Sequence, residues 1–167
     1  MGEQIERLAE IAGREHCPGA LDLRRLGNRQ VHDYARFSAA AAALANGYRH
    51  VHLVGPTTRL MADDRMAQVN SRRLPGSPWQ FSINRIVVDD AAAVIFVDLT
   101  GDHPDFYVAP AQWVHDDVQR RYDQWLENKG GTRPRNPASD HATLELDQIS
   151  RWHRRWDVLA GSEIPGP

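Results

Sequence analysis

The run Ala92-Ala93-Val94-Ile95-Phe96-Val97-Asp98-Leu99 constrains this chain more than any other stretch. A half-buried strand alternates apolar and polar residues, whereas a nearly continuous apolar run of this length needs cover on both faces. It falls far short of the ~20 residues that span a bilayer. Thr100-Gly101-Asp102-His103-Pro104 supplies a turn, and Asp105 to Ala109 reads as the hairpin partner. A central strand of this kind implies a sheet with layers on both sides, so the expected class is α/β (α+β), one mixed sheet flanked by helices.

The remaining segments fit that frame. Gln30 to Asn46 is an alanine-rich helix with Val31, Tyr34, Ala35, Phe37-Ser38, Ala41-Ala42 and Leu44-Ala45 as its expected buried side, stopped at Asn46-Gly47. Tyr48 to Val54, Thr57 to Met61 and Met66 to Arg72 read as an antiparallel meander turning at Gly55-Pro56 and Asp63-Asp64, with Trp79 to Ile83 as a further strand. Pro110 starts a helix to about Glu127, with Trp113, Val118, Tyr122 and Trp125 on its core stripe. Ser139 or Asp140 caps an expected last helix through Leu144, Leu146, Ile149, Trp152, Trp156 and Leu159. The domain reading is an N-terminal helical extension over 1–28, one α/β domain over 29–161 and a flexible tail over 162–167.

At 167 residues, with 41% hydrophobic and 25% charged residues, the chain suits one ordinary folded domain. A net charge of −2 gives no global pull on a polyanion, so any nucleic-acid surface has to be local. Cys17 is the sole cysteine, which leaves neither an internal disulfide nor a cysteine-based zinc cluster. Met1 to Glu15 is charged throughout and does not read as a signal peptide, and no apolar run spans a membrane. The expected location is the cytoplasm, with no membrane association.

Functional interest concentrates on Gln68-Val69-Asn70-Ser71-Arg72-Arg73. On a strand Gln68 and Asn70 point to one face, and two amides followed by two arginines make either an exposed edge or the floor of a site. His50-x-His52 offers two imidazoles but no third ligand, and surface or half-buried structural histidines are the favoured reading. Asp98, Asp102, His103 and Asp105 are residue types usual in a hairpin turn. Asp63 and Asp64 read as solvated turn residues. Arginine clusters at Arg72-Arg73, Arg120-Arg121, Arg133 with Arg135, and Arg151 with Arg154-Arg155 suit either phosphate or plain solvated helix faces.

In order, Gly47-Tyr48, Gln68-Val69-Asn70-Ser71-Arg72-Arg73, Ser77-Pro78-Trp79-Gln80-Phe81, Ile95-Phe96-Val97-Asp98-Leu99, Tyr107-Val108-Ala109-Pro110 and Trp156-Asp157-Val158-Leu159 follow one pattern. From about Gln30 to Ala160 it resembles a small bacterial family within the PD-(D/E)XK nuclease-like superfamily, the fold of many restriction endonucleases. The resemblance implies a helix glutamate, a meander aspartate and a strand Glu or Gln around a divalent metal. It also implies a lysine two residues after that Glu or Gln, to stabilise the reacting phosphate. In this chain the lysine position is Asn70, the helix glutamate falls at Arg36, and the meander aspartate falls near Thr57-Thr58. Gln68 alone matches.

The expectation is therefore a nuclease-like protein without catalytic residues, leaning away from an enzyme and needing no cofactor. It would bind through Arg36, Gln68, Asn70, Arg72, Arg73 and Trp79. Partners compatible with this are a nucleic acid, another protein or a second copy of the chain. One alternative is an active Mg²⁺-dependent nuclease with a relocated site at Asp33, Asp63, Asp64 and Gln68. Another is an inhibitor, antitoxin-like or complex-subunit protein with no nucleic-acid role.

Overall fold

A computed structural model describes residues 23–82, 91–131 and 141–161. The fold is α+β, a five-stranded mixed sheet and a two-stranded sheet with three helices. The element order begins with a 3-10 turn at Leu23–Arg25, then α1 (Asn28–Ala45), β1 (Val51–Val54), β2 (Arg59–Ala62), β3 (Arg65–Arg72) and β4 (Trp79–Ser82). It continues with β5 (Ala93–Asp98), β6 (Asp105–Pro110), α2 (Ala111–Asn128), β7 (His141–Leu144) and the single turn α3 (Leu146–Ile149). Two 3-10 turns, Ser150–Trp152 and Trp156–Val158, complete it.

The large sheet has the order β1-β2-β3-β5-β6. β1, β2 and β3 form an antiparallel meander, β5 runs parallel to β3, and β6 returns antiparallel to β5. All six residues of β5 are buried, as its continuous apolar sequence requires of a strand with ladders on both edges and cover on both faces.

α1 packs on β1, β2 and β3. Its buried residues are Val31, Ala35, Arg36, Ala39 and Ala43. The i, i+4 run of small side chains brings the helix axis close to the sheet. The expected buried side differs here, because Phe37 and Leu44 point to solvent at 64% and 52% exposure. The 31-35-39-43 row satisfies the sheet without them. Gly47, at φ +96, ends the helix in the left-handed region that favours glycine.

β4 and β7 pair antiparallel with Trp79 opposite Leu144, both fully buried. Trp79 meets Phe96 and Tyr107 edge-on at 5.6 and 5.9 Å, so this small sheet covers the β5–β6 hairpin. The expected last helix from Ser139 or Asp140 to Leu159 is instead β7, one helical turn and two 3-10 turns. Leu144, Ile149, Trp152, Trp156 and Leu159 are buried as expected, whereas Leu146 is exposed, and the 3- to 5-residue spacing of the buried residues is met by separate turns. Ser139 and Asp140 themselves lie outside the described residues. The terminal turns are tied back by Arg154 N–H to the Phe106 carbonyl (2.9 Å) and by Tyr48 Oη to the Trp156 carbonyl (2.7 Å).

α2 turns Ala111, Val114 and Val118 inward, and its buried Asp117 is held by Arg120 and Arg121. Trp113 packs on Trp152 at 5.3 Å, but Trp125 sits at the surface, 37% exposed, stacked on Tyr122. Residues 1–22 and 162–167, which carry the expected helical extension and tail, lie outside the described residues, as do Ile83, Arg133 and Arg135.

Candidate functional site

β3 supplies the centre of the site. Strand alternation divides its side chains: Ala67, Val69 and Ser71 on one face, Met66, Gln68, Asn70 and Arg72 on the other. Ser71 Oγ lies 3.1 Å from His32 Nδ1 on α1, which assigns the first set to the helix side. Gln68 and Asn70 therefore share the face turned away from α1. Gln68 is 7% exposed and Asn70 half-buried. Gln68 stands opposite Arg59 on β2 and Val94 on β5, and Asn70 opposite Phe96.

Arg36 lies elsewhere. It is buried in α1, its Nη2 donating to the Gly55 carbonyl at 2.6 Å and its Nη1 to Asp33 at 3.3 Å. It fixes the helix to the β1–β2 turn, and its buried Nε has no partner.

Arg72 is buried as well. Its Nη2 reaches Asp98 Oδ2 at 2.5 Å, its Nη1 the Ser77 carbonyl at 3.2 Å, and its guanidinium lies 4.2 Å from the Trp79 ring centroid. β3 and β5 run parallel with Arg72 and Asp98 in register, so the pair joins adjacent strands directly. Burial raises the Asp98 carboxyl, but hydrogen bonds from Arg72 and Thr100, with the charge of Arg72, outweigh it and hold Asp98 below the usual carboxylate range.

Arg73 donates to the carbonyls of Leu23 and Leu26 and to Asn28 Oδ1, strapping the chain entering α1 onto the end of β3. Trp79 is fully enclosed, its indole N–H 3.3 Å from the Val97 carbonyl. Of the six residues expected to form a binding surface, only Gln68 and Asn70 keep side chains without a described internal hydrogen bond. Arg36, Arg72, Arg73 and Trp79 hold the fold together.

The residues of the relocated-site alternative are also spread out. Asp33 is on α1 beside Arg36, across the sheet from Gln68. Asp63 has φ +52 in the β2–β3 turn, and its Oδ1 accepts the N–H groups of Arg49 and His50, both at 2.9 Å. Those bonds, that from His50 first, hold its carboxyl below the usual range. Asp64 is exposed in the same turn. The turn joins Ala62 to Arg65, and Gln68 lies three residues further along β3, about 10 Å.

Among the described residues no group of three or more His, Cys, Asp or Glu side chains is arranged to hold a metal ion. Gln68 on β3 is the single match to the implied ligands, and with the Arg36 guanidinium on α1 standing where the resemblance implies a carboxylate the set does not fit a divalent cation.

Two polar pairs have no local sequence signal. One is Ser71 with His32. The other is Asp105 with His153, whose Nε2 lies 2.9 and 2.8 Å from the two carboxylate oxygens. Burial raises the Asp105 carboxyl, and the hydrogen bonds from His153 and Arg154 override it, leaving it lowered. The partners are separated by 39 and 48 residues, so only the assembled sheet could reveal them. Comparison with family models, with curated proteins and with solved structures finds no match to this chain.

Proposed function

We propose that this chain is a nuclease-like protein that binds a partner and does not cut nucleic acid. One observation carries the reading. At the β3 position where the resemblance implies a catalytic lysine stands the neutral amide Asn70, two residues after Gln68, which alone matches the implied ligand set. The arginine at the implied helix acid is tied to Gly55 and Asp33. An amide accepts and donates hydrogen bonds but supplies no charge to a developing phosphorane, and losing one such donor costs roughly 10²–10³ in rate. The succession of helix, meander and strand pair supports the nuclease-like scaffold.

The commitment of Arg36, Arg72 and Arg73 to internal acceptors, with a net charge of −2, favours a protein partner over a nucleic-acid strand. The contact surface is centred on Asn70, the half-buried one of the two amides on that face of β3. The test combines Mg²⁺ and Mn²⁺ melting curves with cleavage assays on DNA and RNA and with oligonucleotide binding over a salt series. Unchanged melting, no cleavage and no salt-dependent binding are expected. Metal-dependent cleavage abolished by Asp33→Ala or Asp63→Ala would overturn the reading. Tight oligonucleotide binding that weakens steeply with salt would keep the scaffold and replace the partner.

A further inference from the structure

We propose that the cavity between α2 and the β7–α3 segment is a binding site for a small aromatic carboxylate, separate from the amide-bearing face of β3. The cavity measures about 410 Å³, within the range of small-molecule sites. Val118, Arg121, Tyr122 and Trp125 form one wall, at i, i+3, i+4 and i+7 along a single stripe of α2. Ala142 and Thr143 of β7 and Gln148 of α3 complete its described lining. Val118 is buried, and Tyr122 and Trp125 stack with ring centroids 6.1 Å apart and planes 24° from parallel. The wall is therefore mostly apolar and aromatic. A second cleft on α2, lined by Asp116, Gln119, Arg120, Asp123, Gln124 and Glu127, has no apolar side chain among its described lining residues.

Charge identifies the occupant. Arg121 is the one charged residue among the described residues that line the cavity. Its Nε donates to Asp117 Oδ2 at 2.6 Å, and Asp117 is buried and also held by Arg120. That bond fixes the plane of the Arg121 guanidinium and uses only its Nε. Both Nη groups are left without an acceptor among the described residues, and their fork suits a carboxylate bound through two oxygens. Gln148 Oε1 accepts the Glu145 N–H at 3.0 Å, so its amide N–H groups remain as further donors. The fitting ligand is planar, to lie against the aromatic wall, and carries one anionic group at its edge. A cation would face Arg121 with Asp117 already taken by two arginines. A wholly apolar ligand would strip water from the Nη groups and give nothing back.

The test titrates the isotope-labelled full chain with 2-naphthoate and, separately, with the neutral 2-naphthamide, reading the indole N–H signals of the five tryptophans by nuclear magnetic resonance. Trp125→Phe assigns the Trp125 signal. Naphthoate is expected to shift that signal saturably. The amide should bind at least about tenfold more weakly, because a hydrogen bond to a charged group is stronger by roughly that factor. Arg121→Gln should weaken naphthoate by a similar factor and leave the weaker amide binding unchanged. Arg120→Gln removes the other bridge to Asp117 from outside the cavity and should leave naphthoate binding unchanged, which separates a binding role from a structural one. No saturable shift of the Trp125 indole, equal affinity for the two probes, or equal loss from the two arginine substitutions would overturn the proposal. The first two outcomes are read on the unaltered chain and so do not depend on either variant folding.

Discussion

Removing the carboxylate of Asp98 isolates a buried positive charge. Arg72 and Asp98 are 9% and 8% exposed, and their contact is 2.5 Å. In Asp98→Ala the guanidinium keeps only the Ser77 carbonyl and the Trp79 ring, and its Nε already lacks a partner. The Thr100 N–H also loses its 3.0 Å acceptor. Breaking a buried pair from one side costs about 3–5 kcal/mol, a large share of the ~5–15 kcal/mol that holds a domain folded. At roughly 2–4 °C per kcal/mol for a domain of this size, the melting temperature should fall by about 6–20 °C.

Urea unfolding followed by tryptophan fluorescence measures the loss. Arg72→Met with Asp98→Leu should recover much of it, because the burial of charge disappears with both partners. The pH dependence has a defined sign. The folded Asp98 carboxyl lies below its unfolded value, so its stabilisation is complete above the unfolded pKa, about 3.9, and is lost as pH falls through the folded one. The gap between Asp98→Ala and the parent should therefore close in acid. A loss under ~1 kcal/mol at neutral pH with the fold intact would refute the structural role given to the pair.

Three further outcomes follow from the same geometry. Trp79→Ala should cost about 3–5 kcal/mol by opening a cavity between Phe96, Tyr107 and Arg72, and added oligonucleotide should leave tryptophan fluorescence unquenched. Arg73→Ala should destabilise by about 1–2 kcal/mol and speed hydrogen exchange at Leu26 and Val31, whose N–H groups bond within the strapped turn. Asp63→Asn should flatten the acid limb of the stability profile, since the lowered Asp63 carboxyl contributes above its unfolded pKa and ceases to as pH falls through the folded one. Asp63→Ala should in addition lower the melting temperature at neutral pH, by losing both acceptor bonds and placing alanine at positive φ.

The sequence by itself determined what neighbouring residues decide together. The continuous apolar run of β5 demanded a covered central strand, and the alanine-rich segment ending in Asn46-Gly47 demanded a helix and its stop. The meander followed from alternation and turn residues. Which side of α1 is buried, and whether the segment from His141 on is strand or helix, depended on surfaces far away in the chain. β7 is a strand because it pairs with Trp79–Ser82. Phe37 and Leu44 face outward because a row of smaller side chains fits the sheet.

The same limit governed the candidate site. Gln68 and Asn70 on one face could be read from strand periodicity alone. Arg36, Arg72 and Arg73 looked like surface cations because an arginine's role is fixed by its acceptor. Those acceptors, Gly55, Asp98 and Leu26, lie 19, 26 and 47 residues away. Local pattern sets secondary structure because backbone and nearest side chains set the energies there. Whether a charge is offered to a partner or spent inside the fold is settled only when the sheet brings distant acceptors within hydrogen-bonding reach.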